Sequence, residues 1–172
     1  SGSGYQVELL KKLYPNLTIL CFDLPLQLFL AEKYLNKALD SKDIVSFNET
    51  LKWKDLSKIE KGKVHFLSNW QMPLLKNFKF NLFWNAASFG EMEPEVVENY
   101  LSFIKGNAEN IYLFQAKFGK ELSGTNFVKK PILFEDYKNM LNNYKLESEK
   151  NNFSTNWKFS VKGDYFERVW TK

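Results

Sequence analysis

The sequence predicts a layered α/β fold with a largely parallel sheet, helices on both of its faces and an antiparallel strand at the carboxyl end. Two observations lead to this prediction. Helical and strand patterns alternate along the chain up to Phe134, as in repeated βα units. The tail differs, because Trp157–Val161 and Tyr165–Trp170 alternate in polarity around the tight-turn residues Lys162-Gly163-Asp164, which is typical of a hairpin.

In the first half of the chain, apolar residues at helical spacing predict helices, and continuous β-type runs predict strands. Val7, Leu9, Leu10 and Leu13 form the apolar face of the first predicted helix. Residues 40–62 are polar and mixed, which predicts an irregular connection with one short helix. The predicted elements are helix Tyr5–Tyr14, strand Leu17–Phe22, helix Pro25–Leu39, a short helix at Trp53–Ile59, strand Val64–Leu67 and a loop at Ser68–Pro73.

In the second half, a helix is marked by proline at its start and glycine after its end. Pro94 suits the first turn, acidic residues surround this amino end, and Gly106 stops the helix. The predicted elements are strand Phe80–Asn85, helix Pro94–Lys105, strand Ile111–Ala116, a loop at Gly119–Lys130 and helix Phe134–Tyr144.

Composition and charge limit the function only broadly. The chain has 172 residues, 44% of them apolar and 17% aromatic, which suffices for the core of one domain spanning residues 1–172. The net charge is +4, but Lys and Arg are interspersed with Asp and Glu. This pattern favours a solvated surface over a nucleic-acid site, so we expect no nucleic-acid partner.

Cysteine usage and hydropathy bear on the compartment. The single cysteine, Cys21, lies in a strand of buried character, so we expect neither a disulfide framework nor a thiolate metal site. A reducing, cytoplasmic compartment follows from this expectation. No apolar run approaches the roughly 18 residues of a transmembrane helix, and no signal peptide is visible.

The amino terminus carries the pattern of a nucleotide-cofactor site. Ser1-Gly2-Ser3-Gly4 opens a helix, and Asp23 follows about 20 positions later at a strand tip, where a carboxylate can accept the hydroxyls of a ribose. No strand pattern precedes the glycines. Either the chain begins inside the motif, without the first strand of a Rossmann-like domain, or these four residues are a linker remnant. The separation of Gly4 from Asp23 favours the first interpretation.

Three segments and the terminal hairpin together carry a family resemblance: Gly2-Ser3-Gly4-Tyr5, Phe22-Asp23-Leu24-Pro25 and Asn85–Met92. They resemble class I S-adenosylmethionine (SAM)-dependent methyltransferases, and within these the bacterial sugar O-methyltransferases. The resemblance implies a Rossmann-like three-layer sandwich, here without the family's first strand and the acidic residue that ends it. It also implies SAM as the cofactor and a sugar, glycan or other small molecule as the methyl acceptor, and it is compatible with a homo-oligomer.

The resemblance assigns cofactor contacts to the amino-terminal motif. Gly2 and Gly4 would pass under the methionine part of SAM, where a side chain would collide with the ligand. Asp23 would bind the ribose hydroxyls, and Leu24 would flank the adenine. The structural alternative is that Asp23 caps the helix that begins at Pro25.

Further cofactor contacts are implied after the next two strands. Asn69 and Trp70 lie where the family presents groups to the adenine amine and ring face. Asn85 and Ser88 lie where the fourth strand of the family ends, beside the methyl group and the acceptor. Alternatively, Asn85 satisfies loop backbone groups and Trp70 packs in the core or a lid.

The catalytic candidates are Glu91, Asn85 and His65. Methyl transfer to a sugar hydroxyl needs a positioned acceptor and gains from a general base, because a hydroxyl is a poor nucleophile. Glu91 follows the loop after the strand Phe80–Asn85, although it could serve only as a favourable charge before a helix. His65 is the only histidine and lies inside a predicted strand. No His/Asp/Glu cluster has convincing metal spacing, so no metal ligands are assigned, and the use of a metal stays open.

Two other functions stay open at this point. A nicotinamide-dependent oxidoreductase is disfavoured, because Val7 stands where the third glycine of its motif is expected and no Tyr/Lys catalytic pair is evident. A non-catalytic carbohydrate-binding or assembly module is the other possibility, since Trp53, Trp70, Trp84 and Tyr165 could stack on sugars.

Overall fold

The structure, a computed structural model, describes residues 2–117, 119, 128–151 and 165–172. The chain forms two compact units, one ending at Lys76 and the other beginning at Asn77. Each unit contains one sheet and its own helices.

The sheet of the first unit is parallel throughout its described residues. Its strands are β1 (Ile19–Asp23), β2 (Ile44–Val45) and β3 (Val64–Ser68), in the order β1-β3-β2. Asp23 on β1 lies opposite Ser68 on β3. Both strands therefore deliver the residues that follow them to the same edge of the sheet.

Two long helices of the first unit confirm the sequence predictions. Pro25 occupies the first turn of the second one, where its missing N–H costs nothing. The helices are α1 (Tyr5–Leu13), α2 (Pro25–Ala38) and α3 (Phe47–Thr50), with 3-10 turns at Ser41–Asp43 and Asn69–Leu75.

The predicted short helix at Trp53–Ile59 is wrong. The carboxylate of Asp55 accepts the backbone N–H of Ser57 at 2.9 Å, a local turn that competes with helix formation. The helical turn lies earlier, at α3, where the Ser46 hydroxyl accepts the backbone N–H of Glu49 at 3.3 Å. Such a cap three residues before its partner marks a helix start.

The core of the first unit is formed by residues of α1, α2, β1 and β3. Cys21 lies within it, and burial raises the pKa of this thiol to about 12. The apolar face predicted for α1 is only partly correct, because Leu9 is 52% and Leu13 60% exposed. The buried core residues are Val7, Cys21, Leu28, Ala31, Leu35, Val64 and Phe66.

Lys11 occupies the buried side of α1 in place of an apolar residue. Its side chain is 4% exposed, and its Nζ donates to the backbone carbonyls of Pro15, of Leu17 at 3.3 Å and of Gly62 at 2.5 Å. A buried ammonium group is tolerated only when its donors are used in this way. Lys11 therefore fixes the end of α1 to the chain before β1 and before β3.

Replacing Lys11 with Met should lower the free energy of unfolding by about 1–3 kcal/mol, because three carbonyls lose a charged donor while the aliphatic stem is kept. Chemical denaturation of the chain measures this change. The matched control is Lys12→Met, whose side chain is 59% exposed and pairs with Glu8 at the surface, and which should have little effect. Equal losses for the two variants would contradict the assigned role of Lys11.

The sheet of the second unit mixes parallel and antiparallel pairings. Strand β4 runs parallel to β5, whereas β7 runs antiparallel to both β5 and β6. The strands are β4 (Phe80–Ala86), β5 (Ala108–Ala116), β6 (Lys145–Asn151) and β7 (Tyr165–Thr171), in the order β4-β5-β7-β6.

Helices of the second unit follow the predicted order. Helix α4 (Pro94–Ile104) ends before Gly106, whose φ of +80° suits a glycine after a helix. Helix α5 (Asp136–Met140) is shorter than predicted, and a 3-10 turn occupies Phe89–Glu91. The fully buried side chains of this unit include Val97, Leu101, Ile104, Ile111, Leu113, Tyr137 and Phe166.

Strand β7, which contains the predicted last strand of the terminal hairpin, has a partner strand on each side. Strand β7 pairs with Ala116 and the preceding residues of β5 on one side and with β6 on the other. The antiparallel partner that precedes β7 is therefore Lys145–Asn151. The predicted strand Trp157–Val161 and the turn Lys162-Gly163-Asp164 lie outside the described residues.

The predicted fold class is confirmed: the chain has a Rossmann-like α/β fold with mostly parallel pairing and an antiparallel strand at its carboxyl end. Among the described residues, three of the five strand pairings are parallel. The helices in these residues are all too short or too polar to cross a lipid bilayer.

Candidate functional site

In the first unit, the amino-terminal glycine turn lies against the end of β1. The Asp23 carboxylate accepts the backbone N–H of Gly2 at 3.3 Å and that of Leu24 at 2.9 Å, one with each oxygen. Helix α2 has Leu24 at its cap position and no side-chain cap. The helix-capping interpretation of Asp23 is therefore wrong, and its carboxylate instead joins the two segments of the cofactor motif.

The structure gives different reasons for a glycine at each of the two glycine positions of this turn. Gly4 has a φ of +94°, and a Cβ at this position would lie 3.1 Å from Leu35 and 3.2 Å from Tyr34. Its lack of a side chain thus serves the turn and the packing of α1 against α2. Gly2 has a φ of +54°, and its Cβ direction meets no atom within 4 Å, which leaves room for a ligand beside its backbone.

Three other predicted residues come to the same edge of this sheet. Asn69 directly follows Ser68, the partner of Asp23 in the register, and is half-buried. Trp70 is 58% and Leu24 60% exposed, so the core-packing interpretation of Trp70 is wrong. The edge therefore combines a carboxylate with exposed apolar surface, as a nucleoside requires.

His65 lies inside the first unit. Its side chain is fully buried, its Nε2 accepts the backbone N–H of Glu60 at 3.1 Å, and its ring lies 5.7 Å from the ring of Trp53. Burial lowers the pKa of His65 below its ordinary value. This environment favours a structural role for His65 over a catalytic one.

The free energy of unfolding should be higher above about pH 6.5 than at mildly acidic pH, because the fold holds His65 in its neutral form. Because its folded-state pKa lies below its unfolded value of about 6.5, the unfolded chain binds the proton first as pH falls. Melting temperatures between about pH 7.5 and 5.5 measure this loss, since carboxylates titrate mainly below this range. His65→Gln should flatten the slope, and an unchanged slope would contradict the assignment.

In the second unit, Asn85 and Ser88 face each other across the turn that leaves β4. The Asn85 Nδ2 donates to the Ser88 Oγ at 2.7 Å, and the hydroxyl lies 3.0 Å from the Asn85 Oδ1. Between them Ala87 has a φ of +60°, a strained conformation for a residue with a side chain. Both predicted residues therefore belong to one constrained polar turn.

Gln115 joins this turn and was missed by the sequence analysis. It is fully buried on β5, and its Nε2 donates to the Asn85 Oδ1 at 2.6 Å and to the Asn85 backbone carbonyl at 3.3 Å. Its Oε1 accepts the backbone N–H of Gly90 at 3.4 Å. Period-2 alternation with Ile111 and Leu113 was the available signal, because it places Gln115 on the buried face.

The three acidic residues around the start of α4 occupy distinct positions. Glu91 is exposed in the 3-10 turn. Glu93 is the cap residue of α4, and its carboxylate accepts the backbone N–H groups of Lys129 at 2.5 Å and Lys130 at 3.0 Å. Glu95 lies in the first turn of α4. Glu91 thus precedes the helix, whereas Glu95 is placed to interact with its dipole.

No metal-binding arrangement is found in residues 2–117, 119, 128–151 and 165–172. These residues contain no group of three or more His, Cys, Asp or Glu side chains that could hold a metal ion.

Comparisons with known proteins give a match only at the level of structure. A scan against protein-family models and a search of curated proteins find no match. The fold is similar to an O-methyltransferase family 2 protein from Planctomyces limnophilus solved with apigenin, with a TM-score of 0.64 and 9% identity over 100% of this chain and 48% of that chain.

Two further solved structures are similar to this chain. One is a SAM-dependent methyltransferase from Methanosarcina mazei, with a TM-score of 0.63 and 13% identity over 99% of this chain and 88% of that chain. The other is the apo form of the SAM-dependent methyltransferase SibL, with a TM-score of 0.56 and 12% identity over 99% of this chain. This chain spans about half the length of the SibL and Planctomyces chains, 48% of each. The similarity to these proteins lies in the fold and not in the sequence: the chain has the fold of SAM-dependent methyltransferases.

Proposed function

We propose that residues 1–172 act as a methyltransferase domain that transfers a methyl group from SAM to a hydroxyl of a sugar or glycan. The observation that carries the proposal is the position of Asp23. Its carboxylate lies at the carboxyl end of a parallel strand and binds the backbone of the glycine turn at Gly2. In open α/β sheets such strand ends are where ligands bind, and this sheet belongs to the methyltransferase fold.

The residues at this edge fit SAM. An ionised carboxylate has about four acceptor sites, so Asp23 can accept ribose hydroxyls in addition to the N–H groups of Gly2 and Leu24. The open space beside Gly2 suits the methionine part. The exposed side chains of Leu24 and Trp70 offer apolar surface to an adenine ring.

SAM, when bound, supplies a methyl group on a positively charged sulfur that an oxygen nucleophile attacks in line. The protein must then orient the acceptor and remove its proton. We assign proton removal to Glu91, whose exposed carboxylate follows the polar turn. Asn85 and Ser88, which bond to each other, are assigned to hold the acceptor oxygen.

The sugar acceptor is the most specific part of the proposal. It rests on the resemblance of Asn85–Met92 to the bacterial sugar O-methyltransferases. A partly exposed aromatic pair supports it, because Trp84 is 41% exposed and its ring lies 4.4 Å from that of the half-buried Tyr112. The same pair would serve a non-catalytic carbohydrate-binding module, which is the second candidate function.

An oxidoreductase is disfavoured by the packing of α1. Val7 stands where a nicotinamide-binding motif has its third glycine, which permits close contact between helix and strand. In this chain Val7 is 5% exposed and packs in the core with Cys21 and Leu28. A valine that fills the core is not a substitute for that glycine.

Transfer of a labelled methyl group tests the proposal. The chain is incubated with methyl-labelled SAM and separate panels of monosaccharides, oligosaccharides and flavonoid phenols such as apigenin. We expect labelled methyl ethers in a sugar panel. Label in the phenols alone would overturn the sugar acceptor but keep the methyltransferase, whereas sugar binding without any methyl transfer would favour the binding module.

A further inference from the structure

We propose that Gln115 is a positioning residue that fixes the orientation of the Asn85 amide in the polar turn, and thereby makes this turn a donor to the acceptor oxygen. This inference rests on the proposed function, because it names what orients the residues assigned to hold the acceptor. It concerns only contacts within the second unit.

The orientation of Gln115 is fixed by backbone groups at both ends of its amide. A backbone N–H can only donate, so the Gln115 atom that faces Gly90 at 3.4 Å must be the oxygen. A backbone carbonyl can only accept, so the atom that faces the Asn85 carbonyl at 3.3 Å must be the nitrogen. The two requirements agree, and neither depends on another side chain.

The fixed Gln115 then fixes Asn85. Its Nε2 lies 2.6 Å from one end of the Asn85 amide, and only an oxygen at that end can accept the bond. The Asn85 nitrogen must therefore occupy the other end of the amide, where it donates to the Ser88 Oγ at 2.7 Å, while the Asn85 oxygen also accepts the Ser88 hydroxyl at 3.0 Å. With the opposite orientation, two NH₂ groups would face each other inside the protein.

This polarity matters for an oxygen nucleophile. A hydroxyl that loses its proton during methyl transfer gains negative charge, which an N–H donor stabilises and a carbonyl oxygen repels. The Asn85 NH₂ group has a second hydrogen besides the one directed to Ser88. Full burial of Gln115 strengthens the effect, because an amide away from water holds its bonds more firmly.

Gln115→Glu tests the inference with almost unchanged shape. At about pH 8 an ionised carboxylate at this position would repel the oxygens of Asn85, so the Asn85 amide should turn over. A protonated carboxyl group would donate an O–H and restore the original orientation. Turnover relative to the unchanged chain should thus fall on the order of 10- to 100-fold at about pH 8 and recover as pH falls.

Three measurements separate this role from a merely structural one. The ratio of turnover between variant and unchanged chain is followed from about pH 8 to 5.5, with the acceptor found in the labelled-methyl screen. Calorimetry with SAM should give the same affinity for both chains. The side-chain amide resonances of Asn85 in ¹⁵N NMR spectra should shift in the variant at high pH and return at low pH.

A pH-independent ratio together with unmoved Asn85 resonances would overturn the inference. If the unchanged chain methylates no acceptor, the proposed function fails, but the Asn85 resonances still decide whether Gln115 orients the amide. If Gln115→Glu does not fold, Gln115→Met is the variant that tests the inference. It removes all three hydrogen bonds of the Gln115 amide without adding charge, and it should shift the same Asn85 resonances at every pH.

Discussion

Replacing Glu91 with Gln is expected to lower the turnover of methyl transfer by about 10²–10⁴-fold while the affinity for SAM stays unchanged. The reason is that glutamine keeps the size of the side chain but cannot take the acceptor proton. Glu91 lies in the turn that follows Asn85 and Ser88, and its exposure allows a substrate to reach it. Steady-state kinetics with the acceptor from the labelled-methyl screen measure the change.

The matched control is Glu95→Gln. Glu95 lies in the first turn of α4, so its loss should cost only about 0.3–1 kcal/mol of stability through the helix dipole and leave turnover intact. If Glu91→Gln behaves like this control, Glu91 is a surface charge near a helix and not the base. Asn85 would then be the next catalytic candidate.

Replacing Asp23 with Ala should weaken SAM binding by about 1–3 kcal/mol, or about 5- to 150-fold, because two ribose hydroxyls lose a charged acceptor. The backbone N–H groups of Gly2 and Leu24 lose their partner in the same variant. Calorimetric titration with SAM measures the affinity, and thermal unfolding without SAM measures the separate effect on the turn.

Asp23→Asn refines this prediction, since it keeps one carbonyl acceptor and removes the charge. We expect an affinity between those of the unchanged chain and the alanine variant. Asp43→Ala, in the 3-10 turn before β2, is the control and should leave SAM binding as it is. Full SAM affinity in Asp23→Ala, with lowered stability alone, would restrict Asp23 to a structural role.

The elements that the sequence predicted correctly can be recognised from their own residues. Strand β1 consists of apolar residues up to Asp23 at its end, and α2 and α4 each begin at a proline. Strand β6 has no such signal, because Lys145–Asn151 is almost entirely polar. Its pairing with β7 decides its conformation, helped by the Arg168 Nε bond to Glu149 at 2.8 Å. Tertiary context of this kind overrides strand propensity.

In the candidate site too, some contacts could be predicted from the sequence and others could not. Asp23 and Asn69 could be placed together because parallel strands end at a common edge, and the register of Asp23 with Ser68 agrees. The bond between Asn85 and Ser88 could not be foreseen, since it depends on the strained backbone of Ala87. The alternation of Gln115 with buried residues of β5 was a sequence signal, but its bond to Asn85 depends on the pairing of β4 with β5 and could not be foreseen.

Calorimetric titration of the chain with SAM and, separately, with NAD tests the central claim most directly. The account predicts saturable binding of SAM, none of NAD, and a weaker SAM signal in Asp23→Ala. Binding of NAD in preference to SAM, or no binding of SAM by the folded chain, would contradict it.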